Sequence, residues 1–156
     1  MRKRSSYRPK PQLPNPVAWL VNGFKPVSQA GIVNIQIKNH QAIDSLRKGV
    51  ADREDIDTII EALNISEALQ RLGIGDEYRQ EVRAAQDALY AASRRGIDRE
   101  YRFVLKGQEL AAINLGMEVH DAQLEVTSIH HMEDALNMVR DEIKNRKARV
   151  ILEKSK

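Results

Sequence analysis

The sequence contains no cysteine and few aromatic side chains, and both shortages restrict its chemistry and its core. Without cysteine, disulfide bonds and thiolate zinc sites are excluded, and a reducing compartment is the natural expectation. Aromatic residues make up 4% of the chain, so alanine and branched aliphatic side chains must fill the core. Such a composition suits close-packed helices better than a β-sandwich.

Acidic residues and prolines are each missing from a part of the chain. No aspartate or glutamate precedes Asp44, and no proline follows Pro26. Residues 1–43 consequently carry a net charge of +7, although the whole chain carries only +3. The asymmetry divides the chain into a basic Pro-rich arm (1–26), a helical domain (27–150) and a basic tail (151–156).

The arm is predicted to be extended, because proline fixes φ, removes an amide donor and disfavours a helical residue before it. Its basic and aromatic side chains are the candidate partner-binding residues: Arg2, Lys3, Arg4, Tyr7, Arg8, Lys10 and Trp19. Trp19 has two interpretations, one in which it pins the arm onto the domain together with Phe24 and one in which it anchors a partner. Solvated charge that only aids solubility is a further interpretation of the basic residues.

Apolar spacing predicts an all-α bundle of about five helices behind the arm. Residues 28–48 begin with a strand-like alternation, but the spacing further along favours a helix that stops at Gly49. Asp52 is the predicted N-cap of the second helix, and Gly73 is its predicted end. About five helices joined by short glycine turns therefore account for the domain.

The last three helices are predicted from their apolar stripes and their breaks. The third is expected to open at Asp76 and to close at Gly96, and a β-branched run at 126–129 predicts a break between the last two. The three stripes are Tyr78, Val82, Ala85, Leu89 and Ala92; Leu110, Ile113, Met117, His120 and Leu124; and Met132, Leu136, Val139 and Ile143. An alanine-rich seam in the third helix is compatible with packing inside the chain and with a homodimer.

A second group of basic residues near the C-terminus is a candidate contact for nucleic acid or for an acidic protein: Arg140, Lys144, Arg146, Lys147 and Arg149. Between the two basic ends, residues 44–139 carry a net charge of −8. A body this acidic is unlike a protein that wraps nucleic acid over its whole surface. The two ends either join in one patch, or the arm folds back onto the acidic body.

Two weaker patterns favour structural interpretations. The run 72–75, Leu-Gly-Ile-Gly, resembles the phosphate-holding turn of helix-hairpin-helix modules, but Asp76 and Glu77 follow it and would repel a phosphate. Six side chains form a histidine-acid group: Glu118, His120, Asp121, His130, His131 and Glu133. Their spacing does not direct them to one metal, so His120 is expected to be a hydrogen-bonded core histidine. We expect neither a metal site nor a cofactor.

The opening ten residues resemble small proteins of bacteriophages and prophages that have no assigned activity. The resemblance continues in residues 37–40, Ile-Lys-Asn-His, in residues 57–64 and in residues 118–124, and it covers most of the chain. It implies an accessory phage protein in a bacterial cytoplasm, a class in which regulators and inhibitors of host machinery are common. The resemblance does not assign any enzymatic activity to the chain.

These observations lead to one expected function and one alternative. The absence of phosphate-loop, dinucleotide-binding and hydrolase motifs predicts a protein without enzymatic activity. We expect it to bind a host macromolecule, a protein in the first place, as an inhibitor or regulator. The alternative is a regulator that binds nucleic acid through the arm and the C-terminal helix end. No apolar run reaches the roughly 20 residues that span a bilayer, so no membrane partner is expected.

Overall fold

The computed structural model of the protein describes residues 23–145, so the predictions made for residues 1–22 and 146–156 lie outside the described part. Residues 23–145 form five α-helices and a short 3-10 turn, with no strand among them. The helices are α1 (Gln29–Lys48), α2 (Arg53–Arg71), α3 (Arg79–Asp98), α4 (Gly107–Val126) and α5 (Ile129–Lys144), and the 3-10 turn is Asp76–Tyr78. The predicted all-α bundle is confirmed. None of these helices combines the length and apolar character needed to cross a bilayer.

The ends of α1 and α2 follow from local sequence. The Ser28 hydroxyl accepts a hydrogen bond from the amide of Gly31 and caps α1, which ends at Gly49 in the left-handed region with a φ of 71°. Asp52 and Asp55 form a reciprocal capping box at the start of α2, with bonds of 3.0 and 3.2 Å. The sequence predicts both Gly49 as the end of α1 and Asp52 as the N-cap of α2.

Helix α2 is the centre of the bundle and packs against the other four helices. Its first half contributes Ile56, Ile59 and Leu63 to the larger core cluster, which also includes residues of α1, α3, α4 and the α3–α4 loop. Its last turns contribute Ala68 and Leu69 to a smaller cluster with α5. One helix therefore supports both clusters.

Helices α3 and α4 form the most extensive helix pair, and small residues permit their close approach. A Cβ atom added to Gly116 of α4 would lie 2.5 Å from the Cβ of Ala85 in α3. Ala85 and Ala92 are fully buried, whereas Ala84 and Ala91 face solvent. Packing inside the chain thus uses the buried side of the alanine-rich seam, and the homodimer stays a prediction.

Gly96 was expected to end α3, but the helix continues to Asp98. Glycine is needed at this position because a larger side chain would not fit, and not because the chain turns there. A Cβ at Gly96 would lie 2.7 Å from Cε1 of Phe103 and closer still to Cδ1, since the phenyl ring packs directly on the helix backbone. Phe103 is fully buried there.

The predicted break between α4 and α5 is confirmed at residues 127–128. The Ser128 hydroxyl accepts from the amide of His131 at 3.2 Å and caps α5. The apolar stripe of α5 is only partly as predicted. Val139 is buried together with Ala135, but Ile143 is 59% exposed because the last turn of α5 extends past the packed part of α2.

We predict that Gly96→Ala lowers the free energy of unfolding by about 2 kcal/mol, because the added methyl group overlaps the Phe103 ring. Urea unfolding followed by circular dichroism measures the change. Gly107→Ala is the matched control, since nothing lies within 4 Å of a Cβ there. Equal stability of the two variants would show that Phe103 does not occupy this position.

Candidate functional site

The described chain begins against the first turn of α5. The amide of Ile129 donates to the Lys25 carbonyl at 2.9 Å, and the amide of Val27 donates to the Thr127 carbonyl at 3.2 Å. Helix α5 has 16 residues and is therefore about 24 Å long. The basic N-terminal and C-terminal segments consequently join the bundle at opposite ends of α5, and a single composite patch would have to bridge that length.

Phe24 does not act as the buried pin that one interpretation of the arm expected. Its side chain is 70% exposed, and its ring centroid lies 6.3 Å from that of His130. Gly23 is buried and lies against this histidine: a Cβ there would lie 3.1 Å from the imidazole Cγ. Backbone hydrogen bonds, not apolar burial of Phe24, hold this stretch.

The predicted basic site residues divide into those the structure places and those it does not. Arg140 and Lys144 are exposed on one face of α5, one turn apart. Neither forms an ion pair within residues 23–145. The remaining predicted contacts lie outside the described residues: Arg2, Lys3, Arg4, Tyr7, Arg8, Lys10, Trp19, Arg146, Lys147 and Arg149.

Many of the bundle's own cations are neutralised by neighbouring carboxylates. Ion pairs join Arg47 and Lys48 to Asp44, Arg53 to Asp57, Arg71 to Glu67 and Glu142, Arg83 to Glu67, and Arg95 to Glu109. Most of these pairs are exposed, so each contributes little to stability. The carboxylates that remain in excess give the described body, residues 23–145, its net charge of −6.

The loop between α3 and α4, residues 99–106, has a strained backbone. Glu100 and Tyr101 both occupy the left-handed region, with φ of 58° and 64°. Such conformations cost roughly 1–3 kcal/mol per non-glycine residue and persist only where the surroundings enforce them. Neither position carries glycine, so nothing in the sequence marks the conformation.

Two contacts enforce the loop conformation. Phe103 is buried on Gly96, and Arg95 donates to both carboxylate oxygens of Glu109 at 2.6 Å while also reaching the Val104 carbonyl. The Arg95 guanidinium, with help from the amide of Lys106, lowers the pKa of Glu109. The loop is therefore held against α3 by Phe103 and by Arg95.

The clamped loop presents an aromatic ring among cations. Tyr101 is 46% exposed, and its ring packs edge-on against Phe103 with centroids 6.5 Å apart. Arg99, Arg102 and Lys106 are exposed in the same loop, and none of the three forms an ion pair within the described residues. An exposed aromatic ring and exposed cations in one loop have the chemistry needed to bind a flat anionic ligand.

The glycine turn between α2 and the 3-10 turn is structural. Gly73 and Gly75 have φ of 85° and 72°, and the amides of Gly73 and Ile74 donate back to carbonyls at the end of α2. The Ile74 carbonyl accepts a hydrogen bond of 2.7 Å from Gln123. Because two of its amides close the helix, the turn matches the plain interhelical connection that the sequence favours.

His120 is buried in the bundle, as expected, but it lacks the full set of partners expected of it. It is 1% exposed, and its Nδ1 has no hydrogen-bond partner within residues 23–145. Burial lowers its pKa from 6.5 to about 4, against a smaller opposing effect of Asp121. The imidazole is therefore neutral at physiological pH.

The other histidines form pairs and no metal cluster. His40 Nε2 and Asp121 Oδ2 lie 2.7 Å apart and connect α1 to α4. The two residues are 81 positions apart in the sequence, and no local pattern predicts their contact. His131 Nδ1 lies 3.1 Å from the Ser128 hydroxyl, which is already engaged as the cap of α5. From Gly23 to Asn145, no three histidine or acidic side chains meet in a group that could hold a metal ion.

Comparison with protein families, with curated proteins and with solved structures gives no match to this chain.

We predict that His120 makes the protein less stable in acid. Because its folded pKa is depressed, its neutral form leaves stability intact above pH 6.5, and stability falls as the pH drops from 6.5 towards 4. The full loss is about 3 kcal/mol. Urea unfolding at several pH values should show this loss in the wild type and a smaller slope in His120→Leu. His131→Gln is the control and should retain the wild-type slope, since it leaves His120 buried; a wild-type slope in His120→Leu would contradict the assignment.

Proposed function

We propose that this chain is a non-enzymatic accessory protein of a phage or prophage that binds a host macromolecule in the bacterial cytoplasm. Its partner is a protein with an acidic surface, which it inhibits or regulates. The helical bundle is the scaffold, and the basic arm with Trp19 is the principal contact.

The observation that carries the proposal is the separation of charge. Residues 1–22 contain five basic and no acidic side chains, and residues 146–156 contain five basic and one acidic. The body between them, 23–145, has a net charge of −6, and most of its ion pairs are internal to helices or helix contacts. Positive charge is therefore concentrated in the two ends, where it attracts an acidic partner and increases the association rate.

An exposed apolar surface supports a protein partner over a polyanion. Val33 and Ile37 lie one turn apart on α1 and are 40% and 51% exposed, respectively. Ile35, on another face of the same helix, is also partly exposed. Apolar contacts of this kind are typical of protein interfaces and contribute nothing to phosphate binding.

The alternative is a regulator that binds nucleic acid through the arm and the exposed Arg140 and Lys144. Both hypotheses use the same cations, so they differ in what is captured and not in which residues capture it. A homodimer is compatible with either hypothesis, and light scattering decides it.

We predict that deleting residues 1–16 abolishes capture of the partner and leaves the helicity unchanged. The full chain and the deletion variant are each immobilised and exposed to bacterial lysate, with and without nuclease. The full chain should retain a protein that nuclease does not release. The deletion variant should retain none, because its basic and Pro-rich contacts are gone, while its circular dichroism spectrum stays the same.

Two further variants test the charge. Replacing Arg2, Lys3, Arg4, Arg8 and Lys10 by glutamine should reproduce the effect of the deletion. Arg79→Gln is the control, because it removes exposed charge from α3, a helix that carries none of the proposed contacts. Capture that survives the deletion would exclude the arm as the contact, and release by nuclease would favour the nucleic-acid alternative.

A further inference from the structure

We propose that the α3–α4 loop, residues 99–106, is a binding site for single-stranded nucleic acid, in which Tyr101 stacks on a base and Arg99, Arg102 and Lys106 contact the phosphates. The site is separate from the arm and from Arg140 and Lys144, and it adds a nucleic-acid ligand to the protein partner of the leading proposal. It rests on the backbone, the packing and the charge of this loop.

The loop holds its aromatic ring in place before binding. The Tyr101 ring packs in an edge arrangement with Phe103, which is itself buried on the Cβ-free backbone of Gly96. The backbone at Glu100 and Tyr101 is in the left-handed region, and the Arg102 amide donates to the Arg99 carbonyl at 3.2 Å across this turn. A ring that is oriented and exposed in the free protein loses little conformational freedom when a base stacks on it.

The charge of the loop is opposite to that of the body. Residues 94–106 contain five basic and two acidic side chains, a net charge of +3, within a described body of net charge −6. Arg95 is used by Glu109, but Arg99, Arg102 and Lys106 remain exposed. The loop is thus a local cationic segment that also carries the partly exposed Tyr101 ring.

The surroundings favour a short single strand over a duplex. Stacking on Tyr101 requires a base that is free of its partner strand. Because α2 and α3 are antiparallel neighbours, the acidic first turn of α2, with Glu54 and Asp55, lies at the same end of the bundle as the loop. These carboxylates repel a long polyanion, so the contact is limited to the few nucleotides that the loop itself can reach.

Titration of the full chain with fluorescein-labelled oligothymidylate, followed by anisotropy at several salt concentrations, tests the proposal. Tyr101→Ala should weaken binding roughly 10-fold, the loss of one stacked base, and Tyr101→Phe should retain the affinity. Arg99→Gln combined with Arg102→Gln should reduce the slope of log K against log salt by about 1.4. Tyr78→Ala is the matched control, since Tyr78 is similarly exposed on the 3-10 turn, and it should bind as the wild type does.

The same titration separates this site from the arm. The protein without residues 1–16 should still lose affinity on Tyr101→Ala, whether or not the arm captures a protein. Unchanged binding by Tyr101→Ala would overturn the proposal, as would absence of binding at low salt. Displacement of the oligonucleotide by polyglutamate with the same dependence on Tyr101 would also overturn it, because it would assign the loop to acidic peptides.

Discussion

The close approach of α3 and α4 is the constraint on which the rest of the structure depends. It exists because Gly116 presents no Cβ to Ala85, and because Gly96 presents none to Phe103. The first contact sets the distance between the two helices, and the second fixes the loop that joins them. Since α2 packs against both helices, the position of the central helix depends on the same contacts.

This constraint connects the fold to the proposed binding surfaces. A loop fixed by Phe103 and Arg95 presents Tyr101 in one orientation, whereas the basic arm joins the bundle through backbone hydrogen bonds beside α5. The described body has a net charge of −6, which contrasts with the positive charge of both surfaces. The two proposed contacts therefore differ in character, since one is held by packing and the other lies at a chain end.

The parts of the fold that sequence predicts are those determined by neighbours in the chain. Helix caps act within one turn of their own positions, so the capping roles of Gly49, Asp52 and Ser128 can be predicted from the sequence. Gly96 has a spacing typical of a helix end, but its role depends on Phe103, which only the folded chain brings to it. The pair His40–Asp121 and the strained loop are likewise set by tertiary packing, and neither has a local signal.

A double-mutant cycle at the contact of α3 with α4 tests whether this contact sets the separation of the two helices. Gly116→Ala should lower the free energy of unfolding by about 2 kcal/mol through overlap with Ala85, and Ala85→Gly by about 1 kcal/mol through its helix propensity. Combined, they move one methyl group from α3 to α4, so the double variant should be clearly more stable than Gly116→Ala alone. Additive losses would contradict the claim that this contact sets the separation of the two helices.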